Sequence, residues 1–321
     1  MDRAVDVDDL VERAGRGDPR AVARLVSLIE DASPALREVT AALAPRAGKA
    51  RVVGLTGSPG VGKSTSTGML VSAYRKRGCR VGVLAVDPSS PFSGGALLGD
   101  RIRMQEHATD RDVFIRSMAS RGHLGGLAAA TPQAVRVLDA AGFDVVLVET
   151  VGVGQAEVEI ASAADSTVVM LAPGMGDSIQ AAKAGILEIA DVFVVNKADR
   201  EGADQTVRDL RYMLSLAERD TARWKPPIIK TVAAKDEGGD EVIDALDKHA
   251  AWAEQSGERD RRRKARAADE IEALAVGALR ERMGDLRGGT ALDDFAQRVV
   301  VGELDPYAAA DQLVEAVTGD R

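Results

Sequence analysis

Val52-Val53-Gly54-Leu55-Thr56-Gly57-Ser58-Pro59-Gly60-Val61-Gly62-Lys63-Ser64-Thr65 is the stretch on which the fold turns. An apolar run enters a glycine-rich turn, then Lys-Ser-Thr, then a helix-forming segment from Thr67 to Lys76. Strand, loop and helix in that order are the setting of the phosphate loop G-x-x-x-x-G-K-[ST]. Gly57, Gly60 and Gly62 let the backbone curl until consecutive N–H groups converge on phosphate oxygens. Ser58, Pro59, Val61 and Thr65 complete the nucleotide-contacting loop. The helix that follows adds the positive end of its dipole. Lys63 suits the charge on the β and γ phosphates, and the Ser64 hydroxyl suits Mg²⁺. The expectation is a nucleoside triphosphate bound with magnesium. The plainer alternative is a glycine turn before an ordinary helix, and the flanking strand and helix weigh against it.

A phosphate loop does not say which base is bound. Asp191-Val192-Phe193-Val194-Val195 reads as a buried strand, and Asn196-Lys197-Ala198-Asp199 follows at its C-terminal end. N-K-x-D is a guanine-reading pattern. The Asp199 carboxylate can accept from guanine N1–H and from the exocyclic amine, whereas adenine has no matching donor pair. Asn196 is expected to brace the loops, and the Lys197 stem to cover a face of the base. After the strand Ile228-Ile229-Lys230-Thr231-Val232, the backbone N–H groups of Ala233-Ala234-Lys235 are candidates for the guanine carbonyl. The alternative is a polar loop after a strand.

Two further apolar runs end in acids: Val81 to Asp87, and Asp144 through Glu149 to Gly152. In open parallel sheets ligands sit beyond the carboxyl ends of strands, and acids there suit a hard cation. Glu149 with Gly152 takes the D-x-x-G position, with glutamate in place of aspartate. Asp100, in the glycine-rich stretch from Ser93, is a third candidate. Each acid has a simpler reading as a turn cap. The expected catalytic set is Lys63, Glu149 and Asp100; the expected metal set is Ser64, Asp87, Asp100 and Glu149.

Working outward, residues 1–47 read as a helical segment, with Asp18-Pro19 opening a helix over Arg20 to Glu30 and Pro34 restarting a third. Over 48–250, strand runs centred on Val53, Val83, Phe114, Val146, Val169, Val194 and Ile229 alternate with helical segments. That alternation predicts an α/β fold, a doubly wound and mainly parallel sheet with helices on both faces. From 251 to 321 the composition shifts. The charged run Glu258 to Arg266 precedes helix-period apolar positions at Ile271, Leu274, Ala275 and Leu279. An apolar stripe on such helices calls for a partner surface, which fits a homodimer. The basic cluster is read as the solvated face of a long helix, because acids interleave with it.

The 321 residues carry a net charge of −8, which argues against general nucleic-acid binding. Aromatic residues make up only 3%, so the core must be packed by Ala, Val, Leu and Ile. No apolar run approaches the roughly 20 residues needed to span a bilayer, and no signal-peptide pattern opens the chain. A cytoplasmic protein with no membrane partner is expected. Cys79 is the single cysteine, and His107, His123 and His249 are scattered. No directly bound transition metal is expected from such a set.

Taken together the motifs resemble the MeaB/MMAA/ArgK family of GTPases, in the SIMIBI class. The resemblance covers nearly the whole chain. It is carried by Gly57 to Thr65, Ala85-Val86-Asp87-Pro88-Ser89-Ser90-Pro91, Gly94 to Met104, Arg116 to Leu127, Glu149 to Gln155 and Asn196 to Asp199. It implies a P-loop GTPase domain with an N-terminal helical flank and a C-terminal helical dimerisation arm. It also implies a GTP-hydrolysing chaperone, using Mg²⁺ with GTP or GDP, that gates adenosylcobalamin loading of methylmalonyl-CoA mutase and protects or reactivates that enzyme. By position, Ser64, Asp87, Asp100 and Glu149 match the family's magnesium-associated residues.

The family's extra switch loop falls on Pro173 to Lys183 and marks Asp177, Gln180 and Lys183. Asp177-x-x-Gln180 is equally a capping box before a helix running to Ile189. His123 reads as a loop histidine or a catalytic one. Ser58 and Pro59 stand where MinD-like relatives carry an extra lysine, and Val153 rather than glutamine follows the switch glycine. No water-orienting residue is thereby identified, and slow intrinsic hydrolysis is expected. The alternative reading is a kinase acting on amino-acid (lysine/arginine/ornithine) transport proteins.

Overall fold

The computed structural model describes residues 6–31, 33–88, 107, 109–120, 130–150, 156–174, 186–217, 224–283 and 290–318. The chain divides into two compact units, Met1–Asp260 and Arg261–Arg321.

The first unit opens with three helices: α1 (Val7–Gly15), α2 (Pro19–Glu30) and α3 (Leu36–Leu43). Their starts are chemically marked. Asp6 accepts from the Asp9 N–H at 3.0 Å and Asp18 from the Arg20 N–H at 2.9 Å, with Pro19 needing no such partner. Val7, Val11 and Ala14 recur at helical spacing and are all buried. The sequence pattern starts the third helix at Pro34. It begins instead at Leu36, behind Ala35, with no side-chain cap.

Among the described residues seven strands follow: β1 (Arg51–Gly57), β2 (Val81–Pro88), β3 (Val113–Ser120), β4 (Val145–Thr150), β5 (Ser166–Leu171), β6 (Val192–Val195) and β7 (Ile228–Lys230). They form one sheet in the order β3-β2-β4-β1-β5-β6-β7, with every pairing parallel. Among the described residues the helices between them are α4 (Lys63–Lys76), α5 (Thr131–Ala140), α6 (Ala156–Ala163), α7 (Ile186–Ile189) and α8 (Ala203–Ala217), and α9 (Gly239–Gln255) follows the last strand. This is the doubly wound α/β sheet that the strand spacing predicts. The chain moves outward from β1 to β2 and β3, returns to insert β4 beside β1, then crosses to β5. Such a reversal opens a crevice at the C-terminal ends of the central strands.

Successive strand residues face opposite sides. Val53, Leu55, Val145 and Leu147 pack with Leu70, Tyr74 and Leu246, on the side of α4 and α9. Val52, Val146 and Val148 pack with Leu25, Leu138 and Ile160, on the side of α1 to α3, α5 and α6. The N-terminal helices therefore share the core of the sheet, and Arg116 on β3 pairs with Glu30 on α2. On the opposite face Tyr74 of α4 is buried, and burial pushes its phenol up to about 12, partly offset by Arg51.

The second unit contains most of α10 (Glu258–Met283), together with α11 (Thr290–Val300) and α12 (Pro306–Thr318). Asp305 caps α12, accepting from the Tyr307 and Ala308 N–H groups. Ile271, Leu274 and Leu279 are exposed along α10. Among the described residues no helix is long and apolar enough to cross a membrane.

Close approach at Gly54 gives a direct test of this packing. A Cβ there would stand 2.6 Å from Ile160 Cγ1 and 3.1 Å from Ala164 Cβ. Gly54→Ala is expected to lower stability by about 1–3 kcal/mol. Urea unfolding reports it as a lower midpoint at unchanged slope.

Candidate functional site

The phosphate loop joins β1 to α4 at the C-terminal edge of the sheet. Two glycines are sterically required. Gly57 has φ +144°, and a Cβ there would collide with the Met170 carbonyl of the neighbouring strand. Gly62 has φ +94°, and a Cβ would lie 2.5 Å from Asn196 Nδ2. The Lys63 ammonium turns back over its own loop, donating to the carbonyls of Gly57 at 2.5 Å and Ser58 at 3.1 Å. Ser58 and Thr65 are half-buried, Pro59 and Gly60 are exposed and Val61 is buried.

Glu149 reaches the same place from β4. Its odd-numbered neighbours Val145 and Leu147 face α4, so alternation directs Glu149 there too. The carboxylate is 2% exposed. The Ser64 hydroxyl donates to its Oε1 at 2.7 Å, and Thr67 Oγ1 lies 2.9 Å from its Oε2. A serine hydroxyl donating to a carboxylate keeps its lone pairs for a cation, and every group here is an oxygen donor. The arrangement fits a hard divalent ion such as Mg²⁺. Thr67 is absent from the sequence-derived site. Its signal was the spacing of three from Ser64, which puts both hydroxyls on one helix face. Asp87 lies on β2 beside Ala119 of β3. Asp100, Gly152, His123, Asp177, Gln180 and Lys183 lie outside the described residues.

The second half of the site hangs from β6. Asn196 is buried and ties three segments together. Its Nδ2 donates to the Val61 carbonyl at 2.8 Å, while its Oδ1 accepts from Thr231 Oγ1 and from the Ala233 N–H, each at 3.1 Å. Lys197 takes a left-handed backbone, φ +57°, and its Nζ donates to the Gly60 carbonyl at 2.6 Å. The Ala198 N–H donates to the Thr231 carbonyl at 3.0 Å. At the rim, Asp199 Oδ2 lies 3.3 Å from Lys235 Nζ. Of the three amides expected to face a base carbonyl, two are engaged within the protein: Ala233 with Asn196, and Lys235 with the Val232 carbonyl. Ala234 is exposed beside them.

Other titratable groups sit apart. His107 and residues 109–112 lie against α4: His107 Nε2 lies 3.3 Å from Ser72 Oγ, and Arg75 pairs with Asp110 and Asp112. The hydrogen bond from Arg75 holds the Asp110 carboxyl below its ordinary value. Ser166 Oγ is 2.7 Å from His249 Nδ1, and His249 Nε2 is 3.1 Å from Asp191 Oδ1. The residue types match a hydrolytic triad. However, Ser166 and Asp191 stand where β5 and β6 begin, at the edge opposite the phosphate loop, and His249 is fully buried against Trp224 and Trp252. No substrate reaches such a group, and it pins α9 to the sheet. Among the described residues no cluster of three or more His, Cys, Asp or Glu is arranged to hold a metal ion.

Comparison with known proteins places this geometry in a family context. Residues 22–286 match the family model described as methylmalonyl-CoA mutase-associated GTPase MeaB. A protein of Pyrococcus abyssi, provisionally designated a GTPase, is 48% identical over 316 residues, spanning 98% of this chain and 97% of its own. The GTPase ArgK of Escherichia coli is 36% identical over 244 residues, 74% of this chain and 73% of its own. The crystal structure of an LAO/AO transport system kinase aligns at a TM-score of 0.71 with 25% identity, covering 99% of each chain.

Asn196 offers the sharpest test of how the site is held. Asn196→Ala strands the Val61 carbonyl and the Ala233 N–H and is expected to cost about 1–3 kcal/mol. Hydrogen exchange should quicken at Ala233, whose N–H loses its acceptor, while the amides of β1 and β4 stay protected.

Proposed function

The chain belongs to the MeaB family of methylmalonyl-CoA mutase-associated GTPases, and we propose that it is a GTP-driven chaperone of the mutase, gating adenosylcobalamin loading and protecting or reactivating that enzyme. It is a GTPase, as its relatives are designated and as its P-loop fold supports. The observation that carries the nucleotide reading is Asn196, whose side chain joins the phosphate loop at Val61 to the base-side loop at Ala233. Phosphate and base sites are thereby held at a fixed separation.

In this reading Lys63 leaves the carbonyls of Gly57 and Ser58 and turns its charge to the β and γ phosphates. Ser64 and Glu149, joined by Asp87 and Asp100, would hold Mg²⁺, which would supply charge neutralisation on the phosphates. Asp199 accepts from the guanine N1–H and amine, Ala234 presents its N–H to the carbonyl, and the Lys197 stem lies along the ring. Asp177, Gln180 and Lys183 form the switch that conveys nucleotide state to the mutase. The exposed apolar residues of α10 support a homodimer assembled through the second unit. A cytoplasmic setting accords with this role.

Three outcomes are expected. Asp199→Asn should weaken GTP binding by about 10–100-fold and shift preference toward xanthine nucleotides, read by competition calorimetry; equal affinity of the native protein for ATP would overturn the guanine assignment. Lys63→Ala should abolish phosphate release. Pull-down of methylmalonyl-CoA mutase should differ between GTP- and GDP-loaded protein. Transfer of labelled γ-phosphate to a protein rather than to water would favour a kinase instead.

A further inference from the structure

We propose that Thr67 is a positioning residue for the cation site, holding Glu149 so that the Ser64 hydroxyl is presented in one orientation. The inference rests on the reading of Ser64 and Glu149 as the magnesium pair. Three observations carry it. Thr67 is fully buried, as is nearly all of Glu149, so neither side chain is exchanging its partner with bulk water. Glu149 is gripped at both oxygens by hydroxyls one helical turn apart on α4: Ser64 at 2.7 Å on Oε1 and Thr67 at 2.9 Å on Oε2. Thr67 Oγ1 also lies 3.1 Å from the Lys63 carbonyl, the back-bond a helical threonine ordinarily makes. Its single proton goes to the shorter contact, with the carboxylate, because a carboxylate is the stronger acceptor.

The geometry also accounts for glutamate at this strand position. A side chain from β4 must span to two successive hydroxyls on α4. Aspartate, one methylene shorter, would reach toward Ser64 at the expense of Thr67. With Oε2 fixed, Glu149 cannot rotate about its terminal bond, and Oε1 stays on the Ser64 proton. The Ser64 lone pairs then face the phosphate side of the loop, where a cation coordinates. Without Thr67 the carboxylate has more than one rotamer, and cation binding must select the competent one.

The test titrates Mg²⁺ against the full chain carrying a fluorescent GDP analogue and reads analogue dissociation. Thr67→Val removes the hydroxyl at nearly constant volume. It is expected to raise the Mg²⁺ midpoint about tenfold, the scale of one hydrogen bond to a charged group, while leaving affinity in EDTA as in the native protein. Thr67→Ser should restore the native midpoint. In a Glu149→Asp background, Thr67→Val should shift nothing further, since the shorter acid does not reach. If Thr67→Val fails to fold, Thr67→Ala carries the same expectations. An unchanged midpoint would overturn the proposal, as would an equal shift with and without Glu149→Asp. Failure of the nucleotide reading registers separately, as native protein giving no signal with or without Mg²⁺, and it removes the proposal with its premise.

Discussion

A strand residue can direct its side chain to only one of two faces, and the site depends on that restriction in β4. Val145 and Leu147 pack toward α4, so Glu149 must point there as well. The helix it meets is the one that starts at the phosphate loop, and Ser64 and Thr67 lie on its first turns. A one-residue slip of β4 would send the carboxylate to the opposite face, among Leu25 and Leu138. The register Leu55↔Glu149 therefore does more than pair two strands. It sets an oxygen cluster at the end of a helix whose dipole already favours anions.

The other constraint is Asn196. A buried amide needs partners for its donors and its acceptor, and here they come from two loops that also pack together through Val61 and Ala233. The Val61 carbonyl, the Thr231 hydroxyl and the Ala233 N–H converge on one side chain. Gly62 is the counterpart of this demand, since any side chain there would occupy the space of the amide. Lys197 adds a second tie to Gly60 from a left-handed backbone that lysine rarely adopts. Backbone strain at that position is consistent with a site whose shape is set by more contacts than the fold alone needs.

The His249 cluster shows why residue types do not define a site. Serine, histidine and aspartate stand within hydrogen-bonding reach, yet at the strand starts and sealed by two tryptophans. Parallel sheets place their ligand crevice at the opposite edge. Position in the fold, at the strand starts rather than at the crevice, assigns this cluster to packing.

Much was legible in the chain itself. Turn glycines with Lys-Ser after them, and apolar runs at regular spacing, are local signals set by backbone geometry, so the strand-loop-helix opening and the parallel sheet could be read directly. Apolar runs marked the seven described strands because the inner ones are buried on both faces, while the edge strands β3 and β7 still open on apolar residues. α3 starts at Leu36 rather than Pro34 because the chain first makes a turn, the Leu36 N–H donating to the Ser33 carbonyl at 2.8 Å. What only the tertiary structure decided are the contacts between residues far apart in sequence: Thr67 with Glu149, Asn196 with Val61, and the commitment of the Ala233 amide to Asn196. Local pattern specifies which faces are apolar and where the backbone turns. Which polar atoms meet is set by strand order and register, and these emerge only when the whole sheet is assembled.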